Sequence, residues 1–413
     1  MLRKYFLNKD FSTLSADFIS SSIILFNTLT WFYIIRAIIN NALQNPNNLL
    51  FFATFNFTII FSSLLGAFVA GKVKRIKILY LWIILGVMSS LFTMFLDINV
   101  AYNMPLIAFL LGFSFGFGMP SSLAYFADCT SFENRGRSSG LLFSISIIGS
   151  FLFLSCLGES WFGVLFASAI WRTLGLSVLF VLKPTKTNRE PKVRTHPSFR
   201  SILSIKPFIY FIIPWFLFSV IDSIERPYFL SLVEMSNATD FIAFDEIFEP
   251  LIGVLFAFIG GLVADLIGRK KVIIYGFLSL GLTFAILSLA PTMQVFWYVV
   301  SAVDATAWGI FYVMFVLVLW GDLSSPGSLR ERYYAIGNIP FFLAELVGAI
   351  VYPLAQGVSK ETIYAAFPIA SFFLFLAVLP LMYAPETLPE KKIKERELKK
   401  YIEKAKKIKE KSG

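Results

Sequence analysis

Apolar residues fall in twelve long runs, beginning near residues 11, 49, 78, 104, 137, 161, 207, 246, 272, 294, 334 and 363, with polar residues gathered in the stretches between them. Each run approaches or exceeds the roughly 20 apolar residues that carry a helix across the hydrocarbon core of a bilayer. The pattern predicts an all-α integral membrane protein of twelve transmembrane helices, with both chain ends on one side. Met1-Leu-Arg-Lys before the first run imitates a secretory signal, but the run is too long and lacks a small-residue cleavage site, so it is read as the first span. Composition agrees: of 413 residues 57% are hydrophobic and 15% charged, and 47 are phenylalanine, more than the core of a soluble domain of this size would need.

Charge settles orientation. The net charge of +10 would suit a nucleic-acid partner, yet of the 36 Lys and Arg only Arg36, Arg172, Arg226 and Lys360 lie away from the N-terminus, the even-to-odd connections and the tail, which a twelve-span topology puts on one face. By the positive-inside rule that face is cytoplasmic, in the cell membrane, and the basic balance reports orientation and contact with anionic lipid; no nucleic acid is expected.

Residues 184–206, opening Pro184-Thr-Lys-Thr-Asn-Arg-Glu-Pro, are polar, basic and proline-bearing, and divide the chain into two halves. Gly66 and Gly261, Arg75 and Lys270, Arg135 and Arg330, Arg137 and Arg332, and Asn27 and Asp222 are each separated by the same 195 residues. Repeats of six spans predict two pseudo-symmetric six-helix halves with a site between them at mid-membrane. The expected units are a bundle over 1–183, a cytoplasmic linker over 184–206, a second bundle over 207–384 and a charged tail over 385–413 whose Glu-to-Lys spacings of four fit a solvated surface helix.

The most informative connection is Gly261-Leu-Val-Ala-Asp265-Leu-Ile-Gly268-Arg269-Lys270-Lys271, where a carboxylate, two glycines and three cations occupy a tight turn between spans. Small residues let helix backbones approach closely in lipid, and Asp265 can reach a helix N-terminus or an arginine. With Asp128…Arg135-Gly136-Arg137 after the fourth span, this pattern resembles the signature loops of the major facilitator superfamily of secondary transporters. In the first half the copy Gly66-Ala-Phe-Val-Ala70-Gly71-Lys72-Val-Lys74-Arg75 carries Ala70 where that family has an aspartate. The resemblance implies a rocker-switch transporter fold, with Asp265 near Arg135 at the start of the fifth span, Arg269 facing Asp322, and Asp128 meeting Lys74 or Arg75. Gly261, Asp265, Gly268, Arg269, Lys270, Arg135, Asp322 and Asp128 would then form a conformational latch on the cytoplasmic side. Tyr383-Ala-Pro385-Glu386-Thr387 is similar to the ending of the family's sugar porters. The fifth span lacks the proline-bearing glycine motif of its drug and proton antiporters.

Polar groups inside spans are the candidate chemistry. In the tenth span Trp297, Ser301, Asp304, Trp308 and Tyr312 share one helical stripe, and aromatic faces beside an acid suit a polyol or a cationic or amphipathic solute. Asn27, Asp222, Ser301, Asp304, Trp308 and Tyr312 are the candidate substrate-binding residues, and Asp304 and Glu345 the candidate proton carriers. Two readings stand for several of these. Asp222 and Arg226, four apart, fit an ion pair within one helix as well as a binding site; Glu345 fits a proton carrier or a structural partner for a cation such as Arg172. Asn237-Ala-Thr239 is a glycosylation sequon on the outer side.

An enzyme is not indicated. Gly112-Phe-Ser114-Phe-Gly116 matches a nucleophile-elbow string, but it falls in a predicted helix and the only histidine, His196, lies in a cytoplasmic loop. Glycines 112, 116 and 118 fit a helix-packing face. Cys129 and Cys156 have no metal-ligand spacing, and no cofactor is expected. The function expected is alternating-access transport of a small solute by a monomer, driven by a proton gradient; an uncoupled facilitator and a non-transporting receptor on the same fold are the alternatives.

Overall fold

A computed structural model describes residues 15–42, 49–158, 160–182, 197–324 and 329–388. Within them twelve helices are long and apolar enough to cross a membrane: α1 (Ala16–Asn40), α2 (Leu49–Val69), α3 (Arg75–Thr93), α4 (Asn103–Cys129), α5 (Arg135–Leu157), α6 (Trp161–Leu182), α7 (Lys206–Met235), α8 (Thr239–Ile267), α9 (Arg269–Leu289), α10 (Gln294–Leu323), α11 (Arg330–Ala355) and α12 (Lys360–Tyr383). His196, the linker up to residue 196, the segment Met1–Lys4 and the tail from Pro389 onward lie outside the described residues.

Charge marks where helices start. Arg75, Arg135, Arg269 and Arg330 open α3, α5, α9 and α11, so one end of the bundle is basic. Between α8 and α9 stands only Gly268, at φ +107°, a backbone conformation that costs glycine little and other residues much. α8 starts at Thr239, ahead of its apolar run near 246, and Arg226 pairs with Asp245 in the added turns and with Glu249 just inside the run. In α10 the regular turns give way to a π-helical stretch over Tyr312–Val318, a device common at functional sites.

The same five pairings recur in each group of six. α1 packs on α5 and α6, α3 on α4 and α6, and α2 on α4; correspondingly α7 packs on α11 and α12, α9 on α10 and α12, and α8 on α10. The groups meet through α5 against α8 and α2 against α11, two contacts that the same correspondence exchanges. This is an architecture of two pseudo-symmetric six-helix halves. The polarity pattern is that of a protein in lipid: Phe57, Phe151 and Phe180 face outward, 66%, 70% and 71% exposed, while Asn27, Ser62, Ser90, Arg172 and Asp304 are buried.

Glycine sets the tightest approaches. A Cβ on Gly112 would come 2.8 Å from the Phe55 carbonyl oxygen of α2, and Gly116 meets α2 in the same way, so the predicted packing face of α4 lies against α2. Gly118 instead lies under the Trp82 ring of α3. Across the halves, a Cβ on Gly261 would lie 2.9 Å from the Gly136 carbonyl carbon, so α8 and α5 touch backbone to backbone.

Candidate functional site: a sealed basic end and a cavity beyond it

At the basic end, α8 delivers Asp265 to the N-terminus of α5, whose first amides have no intrahelical partner. Its carboxylate accepts from the Gly136 N–H at 3.0 Å and the Arg137 N–H at 2.8 Å, and pairs with Arg269 at 2.8 Å. Arg269 is fully buried: it donates to the Ala264 carbonyl at 3.2 Å and to the Phe132 carbonyl of the α4–α5 turn, and its Nε lies 3.2 Å from Asp322. Asp322, at the end of α10, also pairs with Arg135, which is anchored on Thr130 Oγ1 at 3.0 Å and the Ala127 carbonyl at 2.6 Å. Asp322 thus joins an arginine from each half.

The degenerate first-half copy closes differently. Ala70 stands where Asp265 stands in the second copy and has no carboxylate. Arg75 reaches both Asp128 of its own half, at 2.6 Å, and Glu331 of α11, at 2.7 Å, while Arg330 pairs with Asp128 at 2.7 Å. By the 195-residue offset Glu331 corresponds to Gly136. The acid missing from one side of the pseudo-symmetric interface is therefore supplied from the other.

Glu386 in the sugar-porter-like ending has a local role. Its carboxylate accepts from the Arg269 and Lys270 amides at 2.8 and 3.1 Å, capping α9, and Lys270 Nζ donates to the Met382 and Ala384 carbonyls, both at 2.8 Å. Thr387 Oγ1 lies 3.3 Å from Asp322. Residues 385–388 are thus part of the closure, and the expected tail separates from the bundle only after them.

At the opposite end the halves part around a cavity of about 720 Å³ whose rim includes Asn40, the last residue of α1. Tyr33 and Arg36 of α1 face Asp222 and Arg226 of α7, Glu249 of α8, Trp308 and Tyr312 of α10, and Phe341 and Glu345 of α11 across it. Tyr312 stacks on Phe143 of α5 at 4.3 Å and packs edge-on against Phe341 at 5.4 Å. Arg36 Nη2 donates to both Glu345 oxygens, at 2.8 and 2.7 Å, an ion pair that crosses from one half to the other.

Of the predicted substrate residues, Asp222, Trp308 and Tyr312 line this cavity, as does the proton-carrier candidate Glu345. Asp304 and Ser301, further along the α10 stripe, are buried behind Arg226: Asp304 lies 3.7 Å from it, with Oδ1 lacking a hydrogen-bond partner among the described residues, and Ser301 donates to Asp245 at 2.5 Å. Asn27 is elsewhere. It faces α6, donating to the Trp171 carbonyl at 2.6 Å and accepting from Arg172 at 3.2 Å.

Two pairings that the sequence left open are not formed. Arg226 turns to α8 and α10, pairing with Glu249 and, at 3.2 Å, with Asp245, while Asp222 accepts from the Trp308 indole at 2.8 Å. Glu345 is partnered by Arg36 and not by Arg172. Arg172 instead lies 4.9 Å over the Trp82 ring and 5.4 Å over Trp31, donates to Asn27 and Thr28, and has no carboxylate in ion-pair range among the described residues. Sequence reasoning missed Tyr33, Asp245 and Glu249; the last two carried a signal, since two acids four apart in a helix present one charged face.

The sequence model of the Major Facilitator Superfamily matches residues 250–412. No curated protein sequence matches the chain. Among solved structures it is similar to a bacterial homologue of the iron transporter ferroportin in its outward-facing state, at 12% identity and TM-score 0.69, covering 89% of this chain and 98% of that one. It is similar also to the proton:xylose symporter bound to 6-bromo-6-deoxy-D-glucose, at 15% identity and TM-score 0.64 over 90% and 96% of the two chains. The E. coli fucose:proton symporter gives 13% identity and TM-score 0.65 over 89% and 98%. Identities this low speak for a shared fold and for nothing finer.

Proposed function

We propose that this chain, a member of the Major Facilitator Superfamily, is a secondary active transporter that carries a small solute across the cell membrane by alternating access, with protons as the driving ion. The observation that carries the reading is the arrangement of the two six-helix halves: they enclose a cavity reachable from one end while interlocked charges close the other. With the basic end taken as cytoplasmic by the positive-inside rule, the arrangement would be the outward-facing state. The halves would be residues 1–183 and 207–384, rocking about the cavity with 184–206 as their tether.

Asp222, Trp308 and Tyr312 would contact the solute. Glu345 and Asp304 would carry the proton: Glu345 by exchanging Arg36 for a proton on its cavity-facing carboxylate, Asp304 through the buried oxygen that has no partner. Two of the structural relatives, which share the fold, are described as proton symporters.

Reconstituted vesicles test this. A pH gradient should drive accumulation of a solute found by a binding screen, and Glu345→Gln should abolish the accumulation while leaving solute exchange across the membrane in place. Accumulation that survives both collapse of the pH gradient and Glu345→Gln would refute proton coupling. A bound solute that never crosses would refute transport.

A further inference from the structure

The cavity carries more acid than base. Among the described residues, Arg36 and Arg226 are its cations, and Asp222, Glu249 and Glu345 its carboxylates; Asp245 and Asp304 stand directly behind, both within ion-pair distance of Arg226. Both arginines already have carboxylate partners. Arg36 Nη2 is engaged by both oxygens of Glu345, and Arg226 already serves three acids. An anionic solute would meet cations already neutralised and an excess of acid.

Asp222 is the exception on the acid side. It lines the cavity, no cation lies within ion-pair distance of it among the described residues, and its one hydrogen bond comes from a neutral donor, the Trp308 indole, to Oδ1. The charged groups that act on it are Glu225 and Arg226 on its own helix, Glu249 on α8, Asp304 on α10 and Glu345 on α11, and Arg226, the one cation among them, is committed to others. Trp308 touches it, and Tyr33, Phe52, Tyr312 and Phe341 line the same cavity. A surplus carboxylate among aromatic faces is a site for positive charge, since both the ionised acid and the π-faces attract a cation and repel an anion.

We infer that the solute is an organic cation, a protonated amine with an apolar body, whose ammonium group is received by Asp222 against the Trp308 and Tyr312 rings. This rests on the cavity being the solute site. The remaining acids keep Arg226 neutralised, so that only Asp222 is left to meet the ammonium. Glu345 stays with Arg36 until the halves move.

Matched probes decide it. 2-Phenylethylamine, 2-phenylethanol and phenylacetate share one ring and differ in head-group charge, as do the amine, alcohol and acid of a cyclohexyl and a naphthyl series; binding to the purified full chain is followed by calorimetry and tryptophan fluorescence. At least one amine should bind, and at least tenfold more tightly than its alcohol and its acid. Asp222→Asn keeps an acceptor for the Trp308 indole, so it should fold normally and lose at least tenfold for the amine with little change for the alcohol; Asp222→Glu should retain the amine preference. Failure of every amine to bind, preference for the acids, or an amine affinity indifferent to Asp222→Asn overturns the inference. An amine that binds through Asp222 but does not cross a vesicle membrane refutes transport and leaves the inference standing. Proton-driven uptake of an acid would do the reverse.

Discussion

Removing the charge of Asp265 should open the basic end without unfolding the protein. The carboxylate receives the Gly136 and Arg137 amides at 3.0 and 2.8 Å and Arg269 at 2.8 Å, and its side chain is only 5% exposed. Asn at this position has one acceptor oxygen, so one amide keeps a partner and the other faces an NH2 group. Leaving a buried donor unsatisfied costs about 1–3 kcal/mol, and losing a charge-assisted bond costs about 1.5–3 kcal/mol. Arg269 retains Asp322 at 3.2 Å and two carbonyls, which reduces the second figure. A net loss of about 2–4 kcal/mol falls almost entirely on the closed state, because parting of α5 and α8 would hand the same groups to water. At 1.4 kcal/mol per tenfold, the closed-to-open ratio should fall by roughly 30- to 1000-fold.

The assay is alkylation of single cysteines, with Cys129 and Cys156 changed to serine. Ser138→Cys reports the basic end, where position 138 is buried near the α5–α8 contact; Ala349→Cys reports the cavity. In Asp265→Asn the first should react at least tenfold faster and the second more slowly, with the thermal midpoint changed by only a few degrees because the mutated contact joins the halves and holds no helix together. Unchanged rates at both positions, with unchanged transport, would refute the latch.

Two further outcomes follow from the same geometry. Glu331→Gln should also raise basic-end reactivity, because Arg75 loses its cross-half partner at 2.7 Å, and Ala70→Asp should recover part of that loss by restoring an acid to the corresponding place just past the end of α2; alkylation of Ser138→Cys in the double variant checks this, and strict additivity would count against it. Arg172→Ala should destabilise by about 3 kcal/mol, since it leaves a void between Trp31 and Trp82 and orphans Asn27 Oδ1, yet leave solute affinity unchanged because the site is remote from the cavity; a thermal melt and a binding isotherm separate the two effects.

The spans were legible because lipid imposes a length and a polarity on every one of them, and that constraint is local. The contacts of Asp265 with α5, of Arg269 with Asp322 and of Asp128 with Arg75 were legible for a different reason: they are what the resemblance to the transporter signature loops implies for these positions. The cavity was only half legible. Asp222, Trp308 and Tyr312 stood out as polar or aromatic groups on inward stripes, but which cation meets which acid depends on helices brought together from distant parts of the chain. Arg36 and Glu345 are 309 residues apart and share no pattern. Arg226 found Asp245 and Glu249 because α8 begins at Thr239, ahead of the apolar run near 246, and so brings both acids in on one helix. Asn27 was misplaced by the same offset that served elsewhere: its counterpart Asp222 faces the cavity while it faces Arg172.

That asymmetry has a physical origin. A pseudo-symmetric pair of halves needs its two interfaces only to be similar in strength, and the carboxylate that holds each one can come from either face. On one side Asp265 of α8 reaches amides that Gly136 leaves uncovered; on the other Ala70 offers nothing and Glu331 of α11 reaches across to Arg75. The two solutions differ in what breaks when the basic end opens. Asp265 leaves a helix N-terminus, whose amides water can satisfy at once, whereas Glu331, fully buried, leaves an arginine that keeps Asp128. On opening, the α3–α11 side parts Arg75 from Glu331 and Arg330 from Asp128, while the α5–α8 side parts Asp265 from two amides, Arg135 from Asp322 and Arg269 from the Phe132 carbonyl, so the α5–α8 side gives up more. Opening should therefore be limited by the Asp265 contact, and Asp265→Asn should raise basic-end reactivity more than Glu331→Gln does.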